Sequence, residues 1–129
     1  MKLSVYIALI LFTLNAYAAD SIFGKWKDKS SPSSYKYEFK SNQDFIYSHY
    51  WKSQGNPKSS IKKGVWDIGD WSVTKPSGSK SSCNLTIYAG TNECCFDFKF
   101  IANNLILTNK YKTESYGSMC ENRVLIKDK

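Results

Sequence analysis

The stretch "YKYEFK", Tyr35 to Lys40, alternates aromatic and charged residues at every step, and the same rhythm returns in "CFDFKF", Cys95 to Phe100. A strand sends successive side chains to opposite faces, so Tyr35, Tyr37 and Phe39 share one face while Lys36, Glu38 and Lys40 share the other. Period two runs through nearly all of the chain after its first 18 residues, and no helical period competes with it. Such a chain folds as antiparallel strands with one face packed and the other wet.

The punctuation between these runs counts the strands. "FGKW" begins the first, "SNQD" turns the Tyr35–Phe39 run into Phe45–Trp51, and "SQGNPKSS" has the composition of a loop. In "GVWDIGDWSVT", Trp66 and Ile68 lie on one strand, Gly69 and Asp70 read as a turn, and Trp71 with Val73 opens the next. "KPSGSKSS" is the longest polar loop. "CNLTIYAG" and "CCFDFKFIA" are joined through "GTNE", Asn103 and Asn104 lead into "LILTNKY", and "CENRVLIK" follows the loop "TESYGSM". Eight or nine short strands at this spacing predict an all-β fold, a small antiparallel barrel or sandwich.

Residues 1–18 have a lysine at position 2, an apolar run from Leu3 to Leu14, and Ala16 and Ala18 at small-residue spacing, the pattern of a signal peptide cleaved after Ala18. The apolar run falls short of the roughly 20 residues needed to cross a bilayer, so no stable membrane anchor is expected. A secreted or periplasmic product is expected. The remaining 111 residues, 19–129, make one domain and leave no room for a second core.

Export bears on the four cysteines, Cys83, Cys94, Cys95 and Cys120, because an even count in an oxidising compartment implies disulfides. Adjacent Cys94 and Cys95 point to opposite faces of a strand and cannot serve one partner. They also lack the C-x-x-C spacing that brings thiolates together on zinc, so no metal and no cofactor is expected. A regular hairpin through "ANN" puts Cys95 near Lys112, and the following loop returns Cys120 to that end of the sheet. One of the pair then reaches Cys120 and the other Cys83, in either combination. In a flat sheet an intervening strand keeps such partners about 10 Å apart, so the chain must curve or bend there.

The formal charge is +7, or +6 once Lys2 is removed. Arg123 is the only arginine and the lysines alternate with acids, which is unlike the clustered, arginine-bearing surface of a nucleic-acid binder. The balance favours an acidic partner over a basic one. His49 is the only histidine and reads as a half-exposed strand residue; Asp67 and Asp70 read as part of a turn. No nucleophile, base and carboxylate come together in the pattern, so an enzyme is not expected. Asn84-Leu85-Thr86 matches a glycosylation sequon by chance.

"FGKW", with Gly24 and Trp26, resembles the first strand of the lipocalin and calycin group of up-and-down barrels, which carries a G-x-W signature. Members of that group place an arginine of the last strand over this tryptophan, and the resemblance assigns that place to Arg123. A guanidinium lies flat on an indole better than an ammonium does. The resemblance implies a closed barrel whose first and last strands meet, in a short, lipocalin-like form of bacterial type. The chain departs from the larger members in its length and in having no C-terminal helix.

Two functions follow as expectations. The first is an exported, non-enzymatic binding protein holding a small apolar or amphipathic ligand, lined by Tyr37, Phe39, Trp66, Phe96, Phe98 and Phe100 beside Trp26. The second is an exported protein-protein module, a hydrolase inhibitor or a toxin-neutralising immunity protein, with Tyr50, Trp51 and Trp71 as anchors. A monomer is expected in either case.

Overall fold

In the computed structural model, which describes residues 22–74, 77–110 and 117–129, the alternating segments become eight antiparallel strands. These are β1 (Gly24–Asp28), β2 (Tyr35–Phe39), β3 (Asp44–Ser53), β4 (Asn56–Thr74), β5 (Lys80–Ala89), β6 (Asn92–Ile101), β7 (Asn104–Asn109) and β8 (Arg123–Lys127). A 3₁₀ turn, Gly117–Cys120, precedes β8. Each strand pairs with the next, and β8 pairs back onto β1 through Trp26↔Lys127 and Asp28↔Leu125, which closes the sheet into an up-and-down barrel. The predicted signal segment lies outside the described residues.

The inward set of the alternation is the core. Tyr37, Phe39, Phe45, Tyr47, Leu85, Ile87, Phe96, Leu105, Leu107 and Leu125 are buried in it. Phe39 meets Trp66 edge-on at 5.6 Å and Tyr37 meets Tyr47 at 5.2 Å, the tilted geometries that ring quadrupoles favour. Both buried indoles are satisfied by main-chain carbonyls: Trp26 donates to Ile22 at 2.9 Å and Trp66 to Lys40 at 3.0 Å.

Strand β4 is where the expected segmentation fails. "SQGNPKSS" is not a loop but a tight hairpin, with Gln54 and Gly55 at positive φ (54° and 81°) and Ser53 paired with Asn56. The turn expected at Gly69 and Asp70 is a β-bulge: Ile68 faces Leu85 and Trp71 faces Cys83, so two residues of β4 oppose Asn84 alone. The strand bends there and continues. Opposite the bulge, the Asn84 side chain accepts from the Phe98 amide at 2.8 Å and donates to its carbonyl at 3.2 Å, taking the place of a main-chain pair. Gly64 is where β4 pairs with Phe45 of β3 and Ala89 of β5 at once, and a Cβ there would lie 1.7 Å from the Tyr88 carbonyl oxygen.

The disulfides are Cys83–Cys95 and Cys94–Cys120. The first joins the neighbouring strands β5 and β6; the second joins β6 to the 3₁₀ turn and belongs to the core cluster, which Cys83 and Cys95 do not. Adjacent cysteines therefore staple two faces of one strand. Cys120 reaches Cys94, at a Cα separation of 5.2 Å, because it sits on a turn folded back toward the barrel and not on the sheet. Cys95 faces Lys110, whose amide donates to its carbonyl at 2.8 Å; Lys112, expected opposite it, lies outside the described residues. The β6–β7 turn is only two residues, Ala102 and Asn103, so the register closes earlier than a longer turn allows. The bridges place the folded chain in an oxidising compartment.

Thr86 is 1% exposed and its hydroxyl has no hydrogen-bond partner among the described residues. Desolvating such a group costs about 1–3 kcal/mol, and valine has nearly the same shape. Thr86→Val is expected to stabilise the domain by about 1 kcal/mol. A urea transition moved to higher midpoint at unchanged slope is the expected reading; a lower midpoint would mean that the hydroxyl is satisfied in solution.

Candidate functional site

The connections β1–β2, β3–β4, β5–β6 and β7–β8 share one end of the barrel, and the chain closes that end with its own backbone. Met119 of the 3₁₀ turn is fully buried in the core. The Tyr37 hydroxyl donates to the Met119 carbonyl at 2.9 Å, and the Tyr47 hydroxyl shares a hydrogen bond with Ser118 Oγ. The Asn109 side chain donates to the Cys120 carbonyl, and the Asn109 amide donates to Asn122 Oδ1 at 2.7 Å.

Arg123, at the start of β8, ties this end together. Its Nε donates to the Tyr37 hydroxyl at 3.2 Å, and Nη2 donates to the Ser118 carbonyl at 2.9 Å and to the Glu121 carboxylate at 3.2 Å. Nη1 lies 3.9 Å from Asp28, which is also buried and which accepts from the Ser31 amide at 2.7 Å. The guanidinium carbon stands 3.6 Å from the centre of the Tyr35 ring.

From Tyr35 a stack of rings leaves the barrel. Tyr35 and His49 are paired residues on β2 and β3, with ring centres 4.8 Å apart and planes at 15°. His49 and Trp51, two residues apart and so on one face of β3, stack at 4.7 Å and 29°. The order is guanidinium, phenol, imidazole, indole. Arg123 is buried, Tyr35 and His49 are half-buried, and Trp51 is 38% exposed. Cross-strand partners of this ladder are Ser60 and Lys58, with Lys62 opposite Tyr47.

The ladder stands on an arm. β2 begins at Tyr35, opposite His49, and β5 ends at Ala89, opposite Gly64, so the β3–β4 hairpin beyond these pairs has no further strand beside it among the described residues. Its tip carries Tyr50 and Trp51, both 38% exposed, and Lys52 and Lys58, also exposed.

The structure distributes the sequence-predicted site residues over three places. Tyr37, Phe39, Trp66 and Phe96 are core residues, Phe98 is half-buried against the core, and Phe100 lies at the far rim, 37% exposed, with its ring 6.2 Å from Trp26. Gly24, Trp26 and Arg123 do not form one contact. The cation over Trp26 is Lys127, at 4.3 Å, which also donates to the Phe23 carbonyl at 2.6 Å and lies against Gly24. The register explains this: Trp26 faces Lys127, and Arg123 is four residues away on the same strand, about 13 Å at strand rise. Tyr50 and Trp51 are on the arm, whereas Trp71 (41% exposed) is at the opposite end of the barrel beside the bulge. Sequence reasoning missed Tyr35, His49, Lys58 and Lys62; the pairing of Tyr35 with His49 across "SNQD" was the signal available. Among the described residues no three His, Cys, Asp or Glu side chains are grouped to hold a metal ion.

Burial holds the Tyr37 hydroxyl well above the ordinary tyrosine range, against the opposing pull of Arg123, and burial also raises Tyr47. The folded state thus keeps protons that the unfolded chain releases above about pH 10, and stability falls as pH rises past that point, by about 1.4 kcal/mol per pH unit for each such group. Below that pH the contribution is fully present. Lys127, lowered by burial, works in the opposite direction but is exposed and weaker. Urea titrations at pH 8, 10 and 11 are expected to show this decline, with a shallower slope in Tyr37→Phe; equal stability at pH 8 and 11 would overturn it.

Compared with protein-family models, curated proteins and solved structures, the chain finds no match in any of the three.

Proposed function

We propose that this protein is an exported, non-enzymatic protein-binding module that engages an acidic partner through the projecting β3–β4 arm. The observation that carries the reading is the Arg123–Tyr35–His49–Trp51 stack, which holds an exposed indole rigidly above a basic hairpin. Aromatic anchors whose rotamers are already fixed lose little entropy on binding, and tryptophan is the commonest kind of interface hot spot. An inhibitor of an acidic hydrolase or a toxin-neutralising immunity protein fits this description. The leader-like residues 1–18 and the two disulfides support export.

An apolar ligand inside the barrel has less support. Four of the six residues expected to line its site, Tyr37, Phe39, Trp66 and Phe96, pack against other core side chains, and Met119 fills the end beneath the arm. A short barrel of this kind uses its aromatics as core, and the lipocalin-like resemblance then bears on architecture more than on ligand.

The test is capture of extracytoplasmic proteins on the immobilised oxidised domain, compared with Trp51→Ala and, as a control at the other end of the barrel, Trp71→Ala. The partner is expected to bind about 30-fold more weakly to Trp51→Ala and equally well to Trp71→Ala. Equal binding to both variants would move the contact off the arm, and a stoichiometric lipid in an organic extract of the native protein would restore the ligand reading.

A further inference from the structure

The β4 side of the arm is an open sheet edge. Among the described residues this strand pairs with β3 alone from Asn56 to Lys63, and pairing with β5 starts only at Gly64↔Ala89. Which groups are left follows from the ladder. The Trp66 amide donates across to Gln43, so the even-numbered residues of β4 direct their main-chain groups to β3. The N–H and C=O groups of Ser59 and Ile61 therefore point to the side away from β3, those of Lys63 face Gly90 of the β5–β6 turn, and Pro57, with no N–H to leave unpaired, occupies the outermost odd position. Where the edge reaches the barrel it opens on a groove of about 350 Å³ between Ile61–Lys63 and the β5–β6 turn at Gly90 and Thr91.

The side chains along this edge have one sign. Between positions 52 and 63 there are four lysines (Lys52, Lys58, Lys62 and Lys63) and no acidic residue. Lys58 and Lys62 lie on the ladder's face, opposite Trp51 and Tyr47, while the other face presents Ile61, 63% exposed. Lysines and a proline on an edge guard against self-pairing, since a second copy would bring like charges together. They leave the edge open to a strand of opposite charge.

We propose that the Asn56–Lys63 edge receives an extended acidic segment of a partner protein as an added β-strand. Main-chain bonds to Ser59 and Ile61 hold the segment, its acidic side chains face Lys58 and Lys62, and its alternate apolar side chains cover Ile61. This rests on the arm being the binding surface and specifies how it binds.

The experiment uses the ¹⁵N-labelled oxidised protein and a capped octapeptide of alternating glutamate and valine. Amide signals of Ser59 and Ile61 are expected to shift saturably and to exchange at least about ten-fold more slowly with peptide bound. N-methylation of alternate peptide residues, which removes the donors of an added strand, and the Lys58→Glu/Lys62→Glu double variant are each expected to weaken binding about ten-fold or more. Unchanged exchange at the two amides, or equal binding of the N-methylated peptide, overturns the added strand. Shifts confined to His49 and Trp51 overturn it while leaving the arm as the binding surface; no shift anywhere on the arm removes both.

Discussion

The double variant Cys94→Ala/Cys120→Ala is expected to lose about 4 kcal/mol of stability, against about 3 kcal/mol for Cys83→Ala/Cys95→Ala, a loss large enough to leave a domain of this size partly unfolded at 37 °C. Chain entropy orders the two: the first bridge spans 26 residues and the second 12. On the loop-closure relation this gives about 3.5 and about 2.8 kcal/mol. Packing widens the difference. Cys94 and Cys120 belong to the core cluster, and Cys120 follows Met119 in the turn that closes the barrel beneath the arm. Cutting this bridge frees the turn that receives the Tyr37 hydroxyl, the Tyr47 hydroxyl and Arg123, so the change should appear at Tyr37 and Tyr47 as well as in the urea midpoint. Equal losses from the two double variants would mean that the 3₁₀ turn is held by its hydrogen bonds and not by the staple.

The sequence carried the barrel through its alternation, and the reason is that alternation reports a buried face. β2 has a packed side and a wet side, and its side chains alternate accordingly, whereas β8 alternates in burial but not in side-chain type and β6 buries Cys94, Cys95 and Phe96 in succession. Asn56–Ser60 carries no such pattern because it belongs to the arm, where both faces are largely solvated, and a strand with two wet faces has the composition of a loop. The Gly69–Asp70 pair is ambiguous for a different reason: glycine beside aspartate suits a reversing turn and a bulge alike, and only the length of β5 across from it decides. Merging the two halves of β4 is what makes the strand count eight.

The site was less legible than the fold. Tyr50 and Trp51 were recognisable as exposed anchors, and Arg123 as an arginine with a special place. What holds Trp51 in place was not, because it joins residues from three strands: Arg123 of β8, Tyr35 of β2 and His49 of β3. The sole histidine of the chain has a structural part in that stack. Pairing of β2 with β3 was readable from the hairpin, and with it the Tyr35–His49 contact. The arrival of β8 beside Tyr35 depends on the closure of the barrel and on a register four residues removed from Trp26, neither of which a local pattern specifies.

Replacing Arg123 with alanine is expected to cost about 3–5 kcal/mol, because the substitution leaves Asp28 buried without its counter-charge and removes donors from the Tyr37 hydroxyl and the Ser118 carbonyl. Contacts to solvent-facing Glu121 add little to this. Arg123→Lys keeps the charge but has no planar fork, so it cannot serve Tyr37, Ser118 and Asp28 together while lying flat on Tyr35; it is expected to recover less than half of the loss. Adding Asp28→Asn to Arg123→Ala should recover more, since it removes the uncompensated charge. The cycle separates the ion pair from the hydrogen bonds. The consequence for the arm is distinct from stability: without the guanidinium, Tyr35 loses the surface it rests on, and the stack to Trp51 is anchored only by its own contacts. Trp51 fluorescence, isolated by difference against Trp51→Phe in each background, is therefore expected to change in Arg123→Ala under conditions where the barrel remains folded. A loss below about 1 kcal/mol, in the range of an exposed ion pair, would reduce Arg123 to a surface residue and leave the ladder without its anchor.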